Sequence, residues 1–157
     1  MGSVEQWPVA GRVYVDAPIL IYSVERHPDY LHVLRQFWLS VATTAVQAVT
    51  SELSLLETTV LPRRTGDSAL VAAYEAMLAR PELEVRPIDS DVLREAARLR
   101  AAEPALRTPD AIHGATARLG GCSTLFTNDV ALRRLPGMNV VLAKDVAGMD
   151  GESRHAT

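Results

Sequence analysis

Three aspartates in this chain stand where α/β proteins do chemistry on anionic groups. Asp16 closes the apolar run Val13-Tyr14-Val15, Asp129 follows the run Cys122–Thr127, and Asp110 lies in the first turn of a helix opened by Thr108-Pro109. Ligands of open parallel sheets bind outside the carboxyl ends of the strands. That rule puts Asp16 and Asp129 at one edge, and Asp110 joins them if the helix before it has crossed back beneath the sheet. Singly, each has an ordinary explanation, since an aspartate at a helix start satisfies unpaired N–H groups and the helix dipole. Gathered at one edge they repel and raise one another's pKa values, so their joint presence makes chemical sense around a divalent cation. Oxygen donors without a Cys/His cluster select Mg²⁺ or Mn²⁺ over zinc.

The elements that must position these carboxylates alternate along the chain, as expected of an α/β fold with a mainly parallel sheet. Val13–Val15, Ala45–Val49, Leu83–Ile88, Cys122–Thr127 and Met138–Leu142 read as strands. Between them, helices are expected after Asp16-Ala17-Pro18, over Tyr30–Leu39, from Ser51 towards Thr59, from Asp67 to Pro81, from Ser90 or Asp91, and from Thr108 to Leu119 before Gly120-Gly121. The Asp67 helix carries an apolar stripe of Leu70, Val71, Tyr74, Met77 and Leu78, and the Ser90 helix turns Val92, Leu93, Ala96, Ala97 and Leu99 inward. Leu61–Gly66, with Pro62 inside it, reads as a loop, and Asn128-Asp129 opens a short helix to Leu135. Residues 148–157 are polar and read as a fraying tail after a single domain over 1–147.

Composition bounds the function. One domain is expected from 157 residues, and neither disorder nor a membrane helix fits 48% hydrophobic content without an apolar run of about 18 residues. The single cysteine, Cys122, cannot form an internal disulfide; it begins an apolar strand and reads as a small core residue. The acidic, leaderless N-terminus and that lone cysteine give a cytoplasmic expectation. A net charge of −3 argues against a protein that holds nucleic acid merely by being basic. Of 16 basic residues 15 are arginines, spread along the chain, with short pairs at Arg63-Arg64 and Arg133-Arg134. No Gly-x-Gly-x-x-Gly follows the first strand, which excludes Rossmann-type nucleotide binding.

The residues resemble those of the PIN domain family, and within it the VapC-type toxins of toxin–antitoxin pairs. The resemblance is carried from Val13 to about Leu142 by Val13-Tyr14-Val15-Asp16-Ala17, Thr50-Ser51-Glu52-Leu53-Ser54-Leu55-Leu56-Glu57, Thr108-Pro109-Asp110-Ala111-Ile112-His113 and Leu125-Phe126-Thr127-Asn128-Asp129. Their order, and gaps of 41, 53 and 19 residues from Asp16 to Glu57, Asp110 and Asp129, make the combination specific. The resemblance implies a three-layer α/β/α sandwich around a mainly parallel sheet. It also implies an endoribonuclease in which Asp16, Glu57, Asp110 and Asp129 are catalytic and bind Mg²⁺ or Mn²⁺. Glu57 is taken over Glu52 because the family pattern Ser-x-x-Thr-x-x-Glu fits Ser51, Ser54 and Glu57 with Ser in place of Thr. The two glutamates lie about 140° apart on one helix and do not share a face well, which leaves Glu52 as the reserve. Asp16 and Asp110 are expected to touch metal directly, with Thr127 and Asn128 positioning Asp129.

An RNA substrate, a cognate antitoxin reaching the acidic pocket with a basic side chain, and a homodimer are the partners so implied, with no membrane. With the four acids set aside, 16 basic residues face 15 acidic ones, so the negative balance describes a site and does not exclude RNA. His113, one turn after Asp110, reads as a packed or hydrogen-bonded residue outside the site. A competing class is a receiver-like or degenerate Mg²⁺-binding interaction module, drawn from Asp16, Thr127 and Lys144 at successive strand ends. It lacks a second acid beside Asp16.

Overall fold

The computed structural model describes Trp7 and residues 10–148. Five strands, β1 (Gly11–Val15), β2 (Val46–Ser51), β3 (Leu83–Arg86), β4 (Thr124–Thr127) and β5 (Asn139–Leu142), form one sheet in the order β3-β2-β1-β4-β5. Every pairing is parallel. The chain walks outward from β1 to β2 and β3, then returns to place β4 on the other side of β1. That reversal makes the crevice beyond the carboxyl ends of β1 and β4 the topological switch point, the place where open α/β sheets take ligands.

Helices cover both faces. The two-residue side-chain period of a strand divides the core: Val13 and Val15 join a cluster with Ile19 and Leu20 of α1 (Ala17–Glu25) and Val33, Leu34 and Phe37 of α2 (Leu31–Ala42). Tyr14, between them, faces the opposite cluster with Val92, Ala96 and Leu99 of α5 (Ser90–Ala102) and Ala111, Ala115 and Ala117 of α6 (Thr108–Leu119). α3 (Leu53–Arg64) and α4 (Ser68–Leu78) complete the β2-to-β3 connection, Met77 of α4 entering the first cluster. A 3₁₀ segment, Val130–Arg134, links β4 to β5, and a helical segment at 143–148 follows β5. This is the expected three-layer α/β/α architecture.

Local differences have physical reasons. α3 runs through Pro62 to Arg64 where a loop was expected. Pro62 removes one donor from the last turn only, and beyond it the Thr65 N–H still reaches Leu61 O (3.1 Å) and the Asp67 N–H reaches Pro62 O (2.8 Å). Gly66, at φ +71°, then turns the chain out of the helix. Leu93 and Ala97 face solvent, so α5 buries a narrower stripe than its sequence offers. Its N-cap is Asp89, whose carboxylate accepts from Val92 N–H (2.9 Å), and Asp67 caps α4 likewise at Leu70 N–H (3.0 Å). Arg107, not Thr108, occupies the N-cap position of α6. Cys122 is buried, as expected, and burial pushes its thiol up to about 11. Beyond residue 148 the expected tail lies outside the described residues. Among the described residues no helix is long and apolar enough to cross a membrane.

Candidate functional site

Asp16 sits at the N-cap position of α1, immediately beyond β1, yet its side chain caps nothing. It is buried; Oδ2 accepts the Thr127 hydroxyl, and Oδ1 has no hydrogen-bond partner. Burial raises its pKa to about 6, with Glu57 adding to the rise and His113 and Thr127 opposing it. Asp110, in the first turn of α6, is buried to 5% exposure and also leaves an oxygen, Oδ2, without a hydrogen bond. Its nearest cation is Arg107, an exposed residue whose Nε lies 3.6 Å away. Burial raises the Asp110 carboxyl first and the charge of Asp129 raises it further, against the pull of Arg107 and His113.

The other aspartate of the site behaves differently. Asp129 caps the 3₁₀ segment, Oδ1 accepting from Ala131 N–H at 2.9 Å, and its own N–H donates to the Thr127 hydroxyl at 3.0 Å. Thr127 therefore ties the two strand ends together, accepting from the Asp129 backbone and donating to the Asp16 carboxylate. Asn128 faces away from the acids: its Nδ2 donates to the Tyr30 hydroxyl (3.0 Å) and its Oδ1 accepts the Lys144 N–H (3.1 Å), anchoring the β4 loop.

Glu57 projects from α3 towards α6, where its Oε1 lies 2.5 Å from His113 Nε2. The other ring nitrogen, Nδ1, is 2.5 Å from the hydroxyl of Tyr14, which is fully buried. Glu52 goes elsewhere, its carboxylate accepting from Ile88 N–H at 3.4 Å on the exposed side of the β3 end. Asp16 and Glu57 thus feel each other's charge, as do Asp110 and Asp129, and His113, the residue that sequence reasoning left out, acts on both Asp16 and Asp110. The only signal for it was its place one turn after Asp110 on a helix of otherwise small residues. As they stand, no three His, Cys, Asp or Glu side chains among the described residues are close enough to ligate one ion together.

A five-stranded parallel sheet with helices on both faces and buried carboxylates beside its switch point is the form of a small α/β/α domain. The model of the PIN domain family matches residues 13–138, and the chain belongs to that family, whose members are generally nucleases. No curated protein matches the sequence. Among solved structures it is similar to VapBC2 from Rickettsia felis bound to a promoter DNA fragment (TM-score 0.68, 17% identity, covering 83% of this chain and 98% of that one). It is also similar to VapC20 of Mycobacterium tuberculosis, a sarcin-ricin loop cleaving toxin (TM-score 0.60, 18% identity, 72% and 86% covered). A third is DNA-bound VapBC from Salmonella typhimurium (TM-score 0.60, 19% identity, 84% and 98% covered). The family match removes the receiver-type alternative.

Proposed function

We propose that this chain is a metal-dependent endoribonuclease, the toxin of a toxin–antitoxin pair, and that Asp16, Glu57, Asp110 and Asp129 hold Mg²⁺ or Mn²⁺. One observation carries the reading: Asp16 Oδ1 and Asp110 Oδ2 are buried and accept no hydrogen bond, the second facing only the exposed Arg107 guanidinium 3.6 Å away, while Asp67, Asp89 and Asp129 in comparable helix-start positions use theirs as caps. A buried carboxylate oxygen without a hydrogen bond costs about 1–3 kcal/mol or more, a cost that a cation held between Asp16 and Asp110 would offset. An all-oxygen donor set fits a hard ion. When bound, such an ion activates water and neutralises charge on the phosphoryl group.

In this reading Asp16 and Asp110 hold the ion through their unpaired oxygens. Thr127 keeps Asp16 oriented by donating to Oδ2, which leaves Oδ1 without a hydrogen bond. Glu57 contributes from α3 on the opposite wall, and Asp129 supplies further negative charge. Arginines are the available contacts for substrate phosphates. The sarcin-ricin loop cleavage named for the similar toxin supports RNA as the substrate class.

Two apolar surfaces support the proposed partners. A groove of about 660 Å³ between α1, α2 and α4, lined by Val24, Leu34, Trp38, Leu39 and Met77 and rimmed by Arg26, Arg35 and Arg80, suits an apolar antitoxin segment with acidic flanks. The exposed Leu55, Leu56, Val60 and Leu61 of α3 suit a second copy of the chain.

The deciding experiment incubates the purified chain, free of antitoxin, with structured cellular RNAs in Mg²⁺, in Mn²⁺ and in EDTA, beside Asp16→Asn and Asp110→Asn. Cleavage by wild type that EDTA and both substitutions abolish is the expected result. Equal degradation by wild type and both variants, or cleavage indifferent to EDTA, overturns the proposal.

A further inference from the structure

Resting on that reading of the acidic site, we infer that His113 and Tyr14 are positioning residues which hold the Glu57 carboxylate in its working orientation. His113 is 4% exposed and the Tyr14 side chain is sealed in the core, so neither meets substrate. Glu57 stands on α3, with its side chain 29% exposed, and nothing on its own helix fixes it: its one hydrogen bond among the described residues is to His113.

The chain of contacts also sets the proton on the imidazole. Tyr14 is fully buried, and a tyrosine hydroxyl carries its proton at neutral pH. A phenol that keeps its proton 2.5 Å from Nδ1 donates to it, and Nδ1, as acceptor, leaves the ring proton on Nε2. Nε2–H then donates to Glu57 Oε1, and Oε2 is the oxygen left for a cation. The order is that of a buried hydroxyl orienting a histidine that in turn orients a carboxylate, the outer-shell arrangement that usually accompanies a metal ligand. Because Tyr14 belongs to β1, two residues before Asp16, the same strand fixes one acid directly and the other through the ring.

The test has two arms. In the metal-free protein, ¹⁵N NMR of the His113 ring is expected to show the Nε2–H tautomer, with Tyr14→Phe shifting the Nδ1 resonance. An Nδ1–H tautomer, or a ring unaffected by Tyr14→Phe, overturns the inference. In the second arm Mn²⁺ affinity is measured by calorimetry for wild type, His113→Ala and His113→Gln, each first shown folded by thermal denaturation. His113→Ala is expected to weaken binding about tenfold or more, and His113→Gln, whose amide nitrogen can donate from near the Nε2 position, to recover most of that loss. Affinity unchanged in His113→Ala, or glutamine no better than alanine, overturns it. Wild type that binds no Mn²⁺ instead removes the metal-site reading, and the NMR arm then decides the tautomer and the Tyr14 contact alone.

Discussion

At the scale of single residues, the site stores its function as instability. Asp16 has its pKa raised from 3.8 to about 6, so the folded chain holds a proton there that the unfolded chain has released. For a carboxyl shifted in this direction the native state binds more protons, and stability falls as pH rises from about 4 to 6. A shift of this size corresponds to about 3 kcal/mol at pH 7. The groups facing Asp16 are Glu57, which worsens the ionised state, and His113, Thr127 and the Ile19 backbone N–H, which relieve it. In EDTA at pH 7.5, Asp16→Asn is therefore expected to raise stability by about 1–3 kcal/mol in urea denaturation and to flatten the decline between pH 4 and 6. A variant that is less stable than wild type at pH 7.5, or that keeps the slope, would show that Asp16 is not the source. Added Mn²⁺ is expected to stabilise wild type and leave Asp16→Asn nearly unmoved, as follows when only the native site binds the ion.

At the scale of elements, α6 is the part that brings the site together, and it does so by being thin. Ala111, Ala115 and Ala117 are fully buried, and Gly114 lets Leu135 lie against the helix: a Cβ there would stand 2.4 Å from Leu135 Cδ2. Leu135 is itself in the core and ends the 3₁₀ segment that Asp129 caps, so pressure on it reaches the loop carrying the acid. Gly114→Ala gains roughly 1 kcal/mol of helix propensity and loses about 1–3 kcal/mol to overpacking. The expected net is a destabilisation of about 1 kcal/mol, read as a lower denaturation midpoint with unchanged slope. A midpoint equal to or above wild type would mean that Leu135 moves aside freely.

The sequence made this element legible because Thr108-Pro109-Asp110 marks its start and Gly120-Gly121 its end. Asp16 and Asp129 were legible for the same reason, each standing directly after a strand. Other features were not, because they depend on what packs opposite. Pro62 reads as a breaker, but it falls where only the last turn of α3 remains to be bonded. Leu93 has the right spacing for the core of α5, yet nothing covers that side of the helix. His113 looked ordinary because its two partners lie 99 and 56 residues away, on a strand and a different helix.

At the scale of the whole molecule, the opposing facts are a net charge of −3 and an exposed apolar face. Four of the 19 acidic residues belong to the proposed site, and a divalent ion held there would offset their charge, so net charge alone does not keep RNA or a second copy away. The face on α3 is a different matter. Leu56 and Leu61 are 63% and 64% exposed, and Leu55 and Val60 40% each, four large apolar side chains within seven residues of one helix. Covering Leu56 and Val60 is worth about 1 kcal/mol or more each, and a two-fold interface counts every residue twice. Leu56→Glu combined with Val60→Glu, one turn apart on the same side of the helix, removes the gain and sets four carboxylates face to face across the axis. Sedimentation is then expected to report a dimer for wild type and a monomer for the double variant, with identical far-ultraviolet circular dichroism. A wild type that sediments as a monomer, or a double variant that stays dimeric, would assign this face to another use. Because Glu57 lies between Leu56 and Val60 on the same helix, loss of the dimer is also expected to lower nuclease activity even where Mn²⁺ binding survives.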